Sequence, residues 1–401
     1  MNTETPLHLD VAEAGETLER DLSTGQLRTL LAAQRLIELT PAAGGRWRIR
    51  GRRRVGLVRL GRGQDAVILY LRPKMPIANL LHLLSHTAGA EHWLDAQVDA
   101  GADDHLLPAV VRLFARTAKR ALDDGVLHGY RTTADTLPTL RGRIDIPAQL
   151  RRCGMPLPIA VQYDEFTADI PENQILLRAL LRLMTMAGLP ASTHSLLRHL
   201  AARLTDITVP PPGSPLPFWT PNRLNTRYAP ALRLAELILV DTTPNLRPGA
   251  QTPIDGVIID METVFEAFLT TALHKAIQPL GLRCAPQETH HSLDTARRVR
   301  IRPDIAVYRG PHLFTLVDAK YKTTDGLGAH PDLYQLTAYC TALGLKHGHL
   351  VYASGPGVPA THGIGPAGTR VTVHALDLTA APSTIDEAIH VLAHQLAGTI
   401  A

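Results

Sequence analysis

Three side chains near the start of the last quarter of the chain have types and spacing that could do chemistry together. Asp304 follows Pro303, and Asp318-Ala319-Lys320 comes fourteen residues after that first aspartate. Two carboxylates brought to one point offer hard oxygen ligands, which suit Mg²⁺ held by one or two acids while waters and substrate phosphates fill the rest. A lysine beside them can orient an attacking water or help deprotonate it. Charge developing on a phosphate would then be neutralised at the same place.

A β-hairpin would bring these residues together. Val299, Ile301, Ile305 and Val307 alternate with polar residues, as do Leu313, Thr315, Val317 and Ala319. That period of two predicts strands with one buried face. Arg309-Gly310-Pro311-His312 is the turn between them. Folding about Pro311 sets Asp304 opposite Asp318, and Lys320 shares the face of Asp318. A surface hairpin with solvated charges would carry the same string.

Flanking helices supply more polar groups. Met261 to Leu280 has Val264, Phe265, Phe268, Leu269, Ala272, Leu273, Ala276 and Ile277 at helical spacing, closed by Pro279. Glu266 lies within it, as a metal ligand or as an ordinary solvated glutamate. Asp332 to Tyr339 predicts a second helix with Asp332 near its cap, and Gln335 and Tyr339, four apart, share a face.

Taken in order, Glu266, Pro303-Asp304, Asp318-Ala319-Lys320 and Gln335-xxx-Tyr339 resemble the PD-(D/E)xK nuclease superfamily. The resemblance implies an α/β restriction-endonuclease-like core and a metal-dependent deoxyribonuclease of type II-like chemistry. It implies Mg²⁺, with Mn²⁺ able to substitute, held by Asp304, Asp318, Glu266 and the backbone carbonyl of Ala319. Gln335 and Tyr339 would touch the DNA backbone or the lysine.

Composition narrows the class. The 401 residues suggest two or three domains, and 45% hydrophobic content is enough for real cores. A net charge of +4 is only mildly basic, so any nucleic-acid role must rest on local patches. Cys153, Cys284 and Cys340 are far apart and odd in number, which argues against a disulfide framework or a CxxC zinc site. The N-terminal sixteen residues have no basic and apolar leader pattern, and no apolar run of membrane-spanning length occurs, so a cytoplasmic chain without a membrane partner is expected. No GxxxxGK[ST] loop occurs, so the chain alone should bind no nucleotide.

Along the chain, residues 1–85 predict a β-rich module. Its strand-like runs are Leu7–Val11, Arg46–Arg50, Val55–Leu60 and Asp65–Arg72, with Ser23 capping a helix. Six arginines lie between Arg46 and Arg54, either contacting phosphate or an acidic partner or forming a solvated face. Residues 86–250 predict a mainly helical middle domain, with helices at 109–122, 173–182 and 229–240 and a proline-rich connector near 205–222. Asp164, Glu165 and Asp169 could form a second metal site, but hydrogen bonds and ion pairs with Arg141, Arg143 or another subunit are the stronger expectation. Asp241–Asp255 reads as a loop, with a domain of residues 251–401 following it and strands near 349–353 and 369–375.

The middle words add a second resemblance. Pro73-Lys74, Arg141-Gly142-Arg143, Asp164 to Asp169 with Asn173, and the nuclease set together resemble McrC, the nuclease subunit of McrBC-type 5-methylcytosine-dependent restriction systems. That resemblance implies a separate AAA+ GTPase ring as partner and double-stranded, modified DNA as substrate. It also implies docking through the N-terminal region that stimulates GTP hydrolysis. Arg46, Arg48, Arg52, Lys74, Arg141 and Arg143 are the docking candidates. A stand-alone RecB-like or repair nuclease and a non-catalytic DNA-binding adaptor are the alternatives.

Overall fold

The computed structural model describes residues 6–13, 15–88, 106–152, 156–186, 189–211, 214–240, 254–365 and 368–398. Cys153, part of the helical expectation before residue 106 and the expected loop up to residue 253 lie outside the described residues. The fold is mixed α/β, with four sheets and ten α-helices among the described residues. Contacts group residues 1–109 with 246–401 in one compact unit and residues 110–245 in a second. This differs from the three consecutive segments expected.

The first unit opens with β1 (Leu7–Ala12), β2 (Leu18–Arg20), α1 (Thr24–Leu31), β3 (Ile37–Pro41), β4 (Trp47–Gly51), β5 (Arg54–Leu60), β6 (Val67–Arg72) and α2 (Ile77–Ala88). Ser23 caps α1 through a reciprocal bond with Gln26, as its sequence position suggested. β2, β4 and β3 form a three-stranded sheet. Leu9, Val11, Leu30, Ile37, Ile49, Leu69 and Leu71 bury a core shared by this sheet, α1 and the neighbouring sheet.

That neighbouring sheet runs β1-β6-β5-β10, and β10 (Ile254–Asp260) arrives from far along the chain. Its pairing with β5 needs glycine on both strands. Gly56 (φ +141°) and Gly256 (φ +156°) lie so close to the partner backbone that a Cβ on either would fall 2.1 Å from a carbonyl oxygen.

The second unit holds most of α3 (Leu106–Asp123), then β7 (Gly129–Leu137), β8 (Arg143–Ile144), α4 (Ile146–Leu150), β9 (Ile159–Thr167), α5 (Pro171–Met184), α6 (Ala191–Ala202) and α7 (Ala229–Val240). β7, β9 and β8 form a sheet, so this region is not simply helical. Beyond Ala160 and Val161 at the start of β9, which are buried, these strands are mostly polar and solvent-accessible, which leaves little apolar alternation to read.

The first unit resumes with β10, α8 (Met261–Ile277), β11 (Leu282–Pro286), β12 (Ile305–Arg309), β13 (His312–Thr323), α9 (His330–Ala342), β14 (His347–Ser354), β15 (Ala360–Ile364), β16 (Thr369–Ala375) and α10 (Pro382–Gly398). A six-stranded sheet runs β11-β12-β13-β14-β16-β15, with β13-β14 and β14-β16 parallel. Helices cover both of its faces. Leu336 and Cys340 of α9 pack with Leu316, Leu350 and Val371, while Phe265 of α8 meets Tyr321. β12 and the centre of β13 are therefore buried on both sides, not half-buried as the alternation implied. β12 also starts only at Ile305, because Pro303 has no N–H to give a ladder.

Candidate functional site

The hairpin register pairs Ile305 with Val317, which sets Asp304 across from Asp318 as the sequence predicted. A bulge between Val307 and Tyr308 takes up the odd residue near the turn. Asp304 Oδ2 accepts a hydrogen bond from the Ala319 N–H at 2.8 Å, and Lys320 Nζ lies 2.6 Å from Asp318 Oδ2. Asp318 is only 3% exposed, and its Oδ2 has the lysine as an ion-pair neighbour but no aligned hydrogen bond.

Burial and the neighbouring acids set the electrostatics. Burial, then the charge of Asp304, push the Asp318 carboxyl up to about 7 against the pull of Lys320. Burial, then the charge of Glu266, raise Asp304. Burial lowers the Lys320 ammonium, but Asp318 and Asp304 outweigh it and the net shift is upward. The pocket thus holds more negative charge than one lysine balances.

α9 extends the line as expected. Lys320 Nζ donates to Gln335 Oε1 at 3.4 Å, and Gln335 Nε2 donates to the Tyr339 hydroxyl at 3.1 Å. Asp332 does not cap this helix. The cap position is Ala329, and Asp332 is buried, bound by Lys322 at 2.7 Å and the Tyr352 hydroxyl at 2.6 Å. Asp332 thus lies near the cap as expected, inside the first turn, where β13 offers it a cation.

Glu266 lies in the second turn of α8, a helix capped by Asp260 and anchored by the predicted apolar stripe. It stands close enough to raise Asp304, but its carboxylate accepts from Gln287 Nε2 at 2.5 Å. Glu266, Asp304 and Asp318 do not close to within 4.8 Å of one another. Gln287 ties this corner together. Its N–H donates to the Asp304 carbonyl at 2.9 Å, its Oε1 accepts from Arg302, and its φ is +46°. Nothing in the sequence marked Gln287, since its role comes from loop geometry.

The docking candidates are dispersed. Arg46 and Arg48, exposed at β4, pair with Glu19 at 3.7 and 3.0 Å. Lys74 places its ammonium 4.3 Å over the Tyr321 ring, and its backbone N–H faces Glu13 Oε2 at 3.5 Å. Glu13, 1% exposed, is pushed up to about 7 by burial and takes a 3.1 Å hydrogen bond from Tyr321. Arg50, Arg52, Arg54, Lys74 and Lys322 line a cavity of about 920 Å³ in this unit.

In the second unit, Arg141 stacks 3.9 Å over Tyr163 and Arg143 donates to Gln162 at 2.8 Å. The acidic trio there is a hydrogen-bond network. Asp169 is bound by Arg131 at 2.5 Å, Thr208 at 2.6 Å and Gln174 at 2.7 Å, and these bonds outweigh burial to hold it at about 2. Its cation is Arg131, not Arg141 or Arg143.

Residues 49–353 match the family model of the McrBC 5-methylcytosine restriction system component. The chain belongs to this family. Curated proteins gave no match. Among solved structures, a chain of the "half-complex from tetradecameric assembly of Thermococcus gammatolerans McrB AAA+ hexamers with bound McrC" aligns at TM-score 0.54. Identity there is 16%, covering 97% of this chain and 100% of that one. A chain of the Thermococcus gammatolerans McrBC complex is 17% identical over 67% of this chain and 88% of that one, with a TM-score of 0.41. At this identity the first likeness speaks to the McrBC-family fold alone.

Proposed function

We propose that this chain is the DNA-cleaving subunit of a modification-dependent restriction system, with a PD-(D/E)xK site built on β12, β13, α8 and α9. The single observation that carries the reading is the pairing of half-buried Asp304 with buried Asp318, whose Oδ2 lies 2.6 Å from Lys320 Nζ. Both acids are raised by burial, Asp304 further by the charge of Glu266 and Asp318 further by that of Asp304, and three negative groups around one lysine fit a divalent cation better than a structural ion pair. Mg²⁺, or Mn²⁺ in its place, would be held by Asp304 and Asp318 with Glu266 and the Ala319 carbonyl, and when bound would neutralise charge developing on the scissile phosphate.

The chain's own groups do the rest. Lys320, kept protonated by its acidic neighbours, orients water and phosphate oxygen; a lysine raised in this way is a poor base. Gln335 fixes the ammonium, and Tyr339 fixes Gln335. Glu266, held by Gln287, adds negative charge beside Asp304.

The partner would be an AAA+ GTPase ring, as family membership and the McrB hexamers of the related assembly suggest. Docking would use Arg46, Arg48, Arg52 and Lys74, with Arg141 and Arg143 as a second surface. No helix among the described residues is long and apolar enough to cross a membrane.

The test is cleavage of 5-methylcytosine-containing plasmid with Mg²⁺, with and without an McrB-type AAA+ GTPase from the same source. Asp318→Asn and Lys320→Ala should each lower the rate by roughly 10² or more. Rates within a few-fold of wild type would overturn the site. Full cleavage without the GTPase would mean a stand-alone nuclease, and none under any condition would mean an adaptor.

A further inference from the structure

Away from the carboxylate pair, α2 and α10 meet through side chains that the nuclease reading does not use. His82 and His86 are one turn apart on α2, and Asp386 and His390 are one turn apart on α10. His82 Nε2 lies 3.0 Å from Asp386 Oδ1, and His86 Nε2 lies 3.4 Å from the same oxygen. Candidate ligand atoms of all three residues fall within 4.8 Å of one another. A tetrahedral ion with bonds of 2.0–2.1 Å sets its ligand atoms roughly 3.3 Å apart, which is the separation already present at this oxygen.

Hydrogen bonding alone does not account for the cluster. Both Nε2 atoms converge on one oxygen, while His86 Nδ1 is buried without a partner. The His82 side chain is 6% exposed and that of His86 22%, and Phe268 of α8 packs against both rings. Burial, then the charge of His82, lower His86 to about 4 against the pull of Asp386. Hydrogen bonding and the nearby histidines outweigh burial and keep Asp386 anionic. Two imidazole nitrogens and one carboxylate favour zinc-like ions over Mg²⁺ or Ca²⁺.

We propose that His82, His86 and Asp386 form a second metal site, for Zn²⁺ or a similar borderline cation, that clamps α2 to α10. His390, exposed one turn beyond Asp386, or a water takes the fourth position. The site fastens an early helix of the first unit to its last. It works beside Asn79, which donates at 2.7 Å to the carbonyls of Leu378 and Ala380 just before α10.

The test uses the full chain carrying Asp318→Asn, so that the paired carboxylates cannot dominate, after chelator treatment and dialysis. Co²⁺ titration should give tetrahedral visible absorption saturating at about one equivalent per chain, displaced by Zn²⁺. Zn²⁺ should raise the thermal midpoint and chelator should lower it. His86→Ala and Asp386→Asn should each abolish the absorption. Asp386→Asn keeps a hydrogen-bond acceptor for His82, so it separates metal loss from unfolding. The variant His290→Ala/His291→Ala, which removes the other candidate group of described residues around Glu288, should leave the absorption intact. No visible band, a band that survives His86→Ala and Asp386→Asn, or a thermal midpoint indifferent to Zn²⁺ would overturn the proposal. None of these readouts depends on cleavage.

Discussion

Asp318 is a carboxylate kept where a carboxylate is least comfortable, and that has a measurable consequence without any metal. Between the ordinary carboxylate range and about pH 7, the folded chain holds a proton here that the unfolded chain has released. The group's contribution to stability is therefore complete at low pH and is lost as pH rises through about 7. In chelator at pH 8, Asp318→Asn should make the chain more stable than wild type by roughly 1–3 kcal/mol. The gap should narrow by pH 5 and close only near pH 4, as the unfolded carboxylate is protonated too. Urea unfolding at the two pH values checks this, and a gap that ignores pH would separate Asp318 from the raised titration. Glu266→Gln tests the third acid differently. Removing a charge that already bears on Asp304 should raise the Mg²⁺ concentration needed for half-maximal cleavage by roughly tenfold, with DNA binding little changed. A metal titration curve unaltered by the substitution would leave Glu266 as a partner of Gln287 only. These residues were legible because a hairpin register follows from alternation and a turn. Gln287 and Asp332 were not, because a loop φ of +46° and a cross-element ion pair leave no periodic trace.

At the scale of elements, the sequence showed wherever one face is buried or a cap is present. The boundaries of α7 agree with the reading, α8 begins at the predicted Met261, and β4, β5, β6, β14 and β16 fall where apolar runs predicted strands. The misses share causes. β7 and most of β9 are polar and solvent-accessible, and the loop expected to run to Asp255 hid the start of β10, whose partner lies about 200 residues away. The glycine pair on β5 and β10 locates a sharp energetic test. Gly256→Ala would set a Cβ 2.1 Å from the Leu57 carbonyl oxygen at a φ that alanine avoids. It should destabilise the chain by roughly 2 kcal/mol or more. Gly281→Ala, with open space around it, should cost less, about 1 kcal/mol, through its αL backbone alone. Equal denaturation midpoints for the two variants would contradict the close approach.

For the whole molecule, the arrangement changes what a truncation can report. Residues 1–85 supply β1, β5 and β6, three of the four strands in the sheet that β10 completes. A fragment of residues 250–401 would begin with that strand unpaired, so it should aggregate or lose near-UV signal rather than persist as a separable nuclease domain. Point changes are the cleaner probe of docking. Arg52→Glu with Arg50→Glu, at the cavity, should cut stimulation of the GTPase by roughly tenfold. Arg46→Glu, whose charge Glu19 already offsets, should change it less; equal losses would move the contact to the β4 edge.

The same strand pairing also orders events during synthesis. β5 leaves the ribosome well before β10 exists, with the whole second unit translated between them. At ordinary elongation rates of about 5–20 residues per second, the gap is roughly 10–40 s. Through that interval the nascent chain exposes the β5 edge, with its glycine notch, to anything that can add a strand. The whole second unit is synthesised while the first unit's sheet still lacks β10, so one sheet edge stays unpaired until the strand that covers it is made.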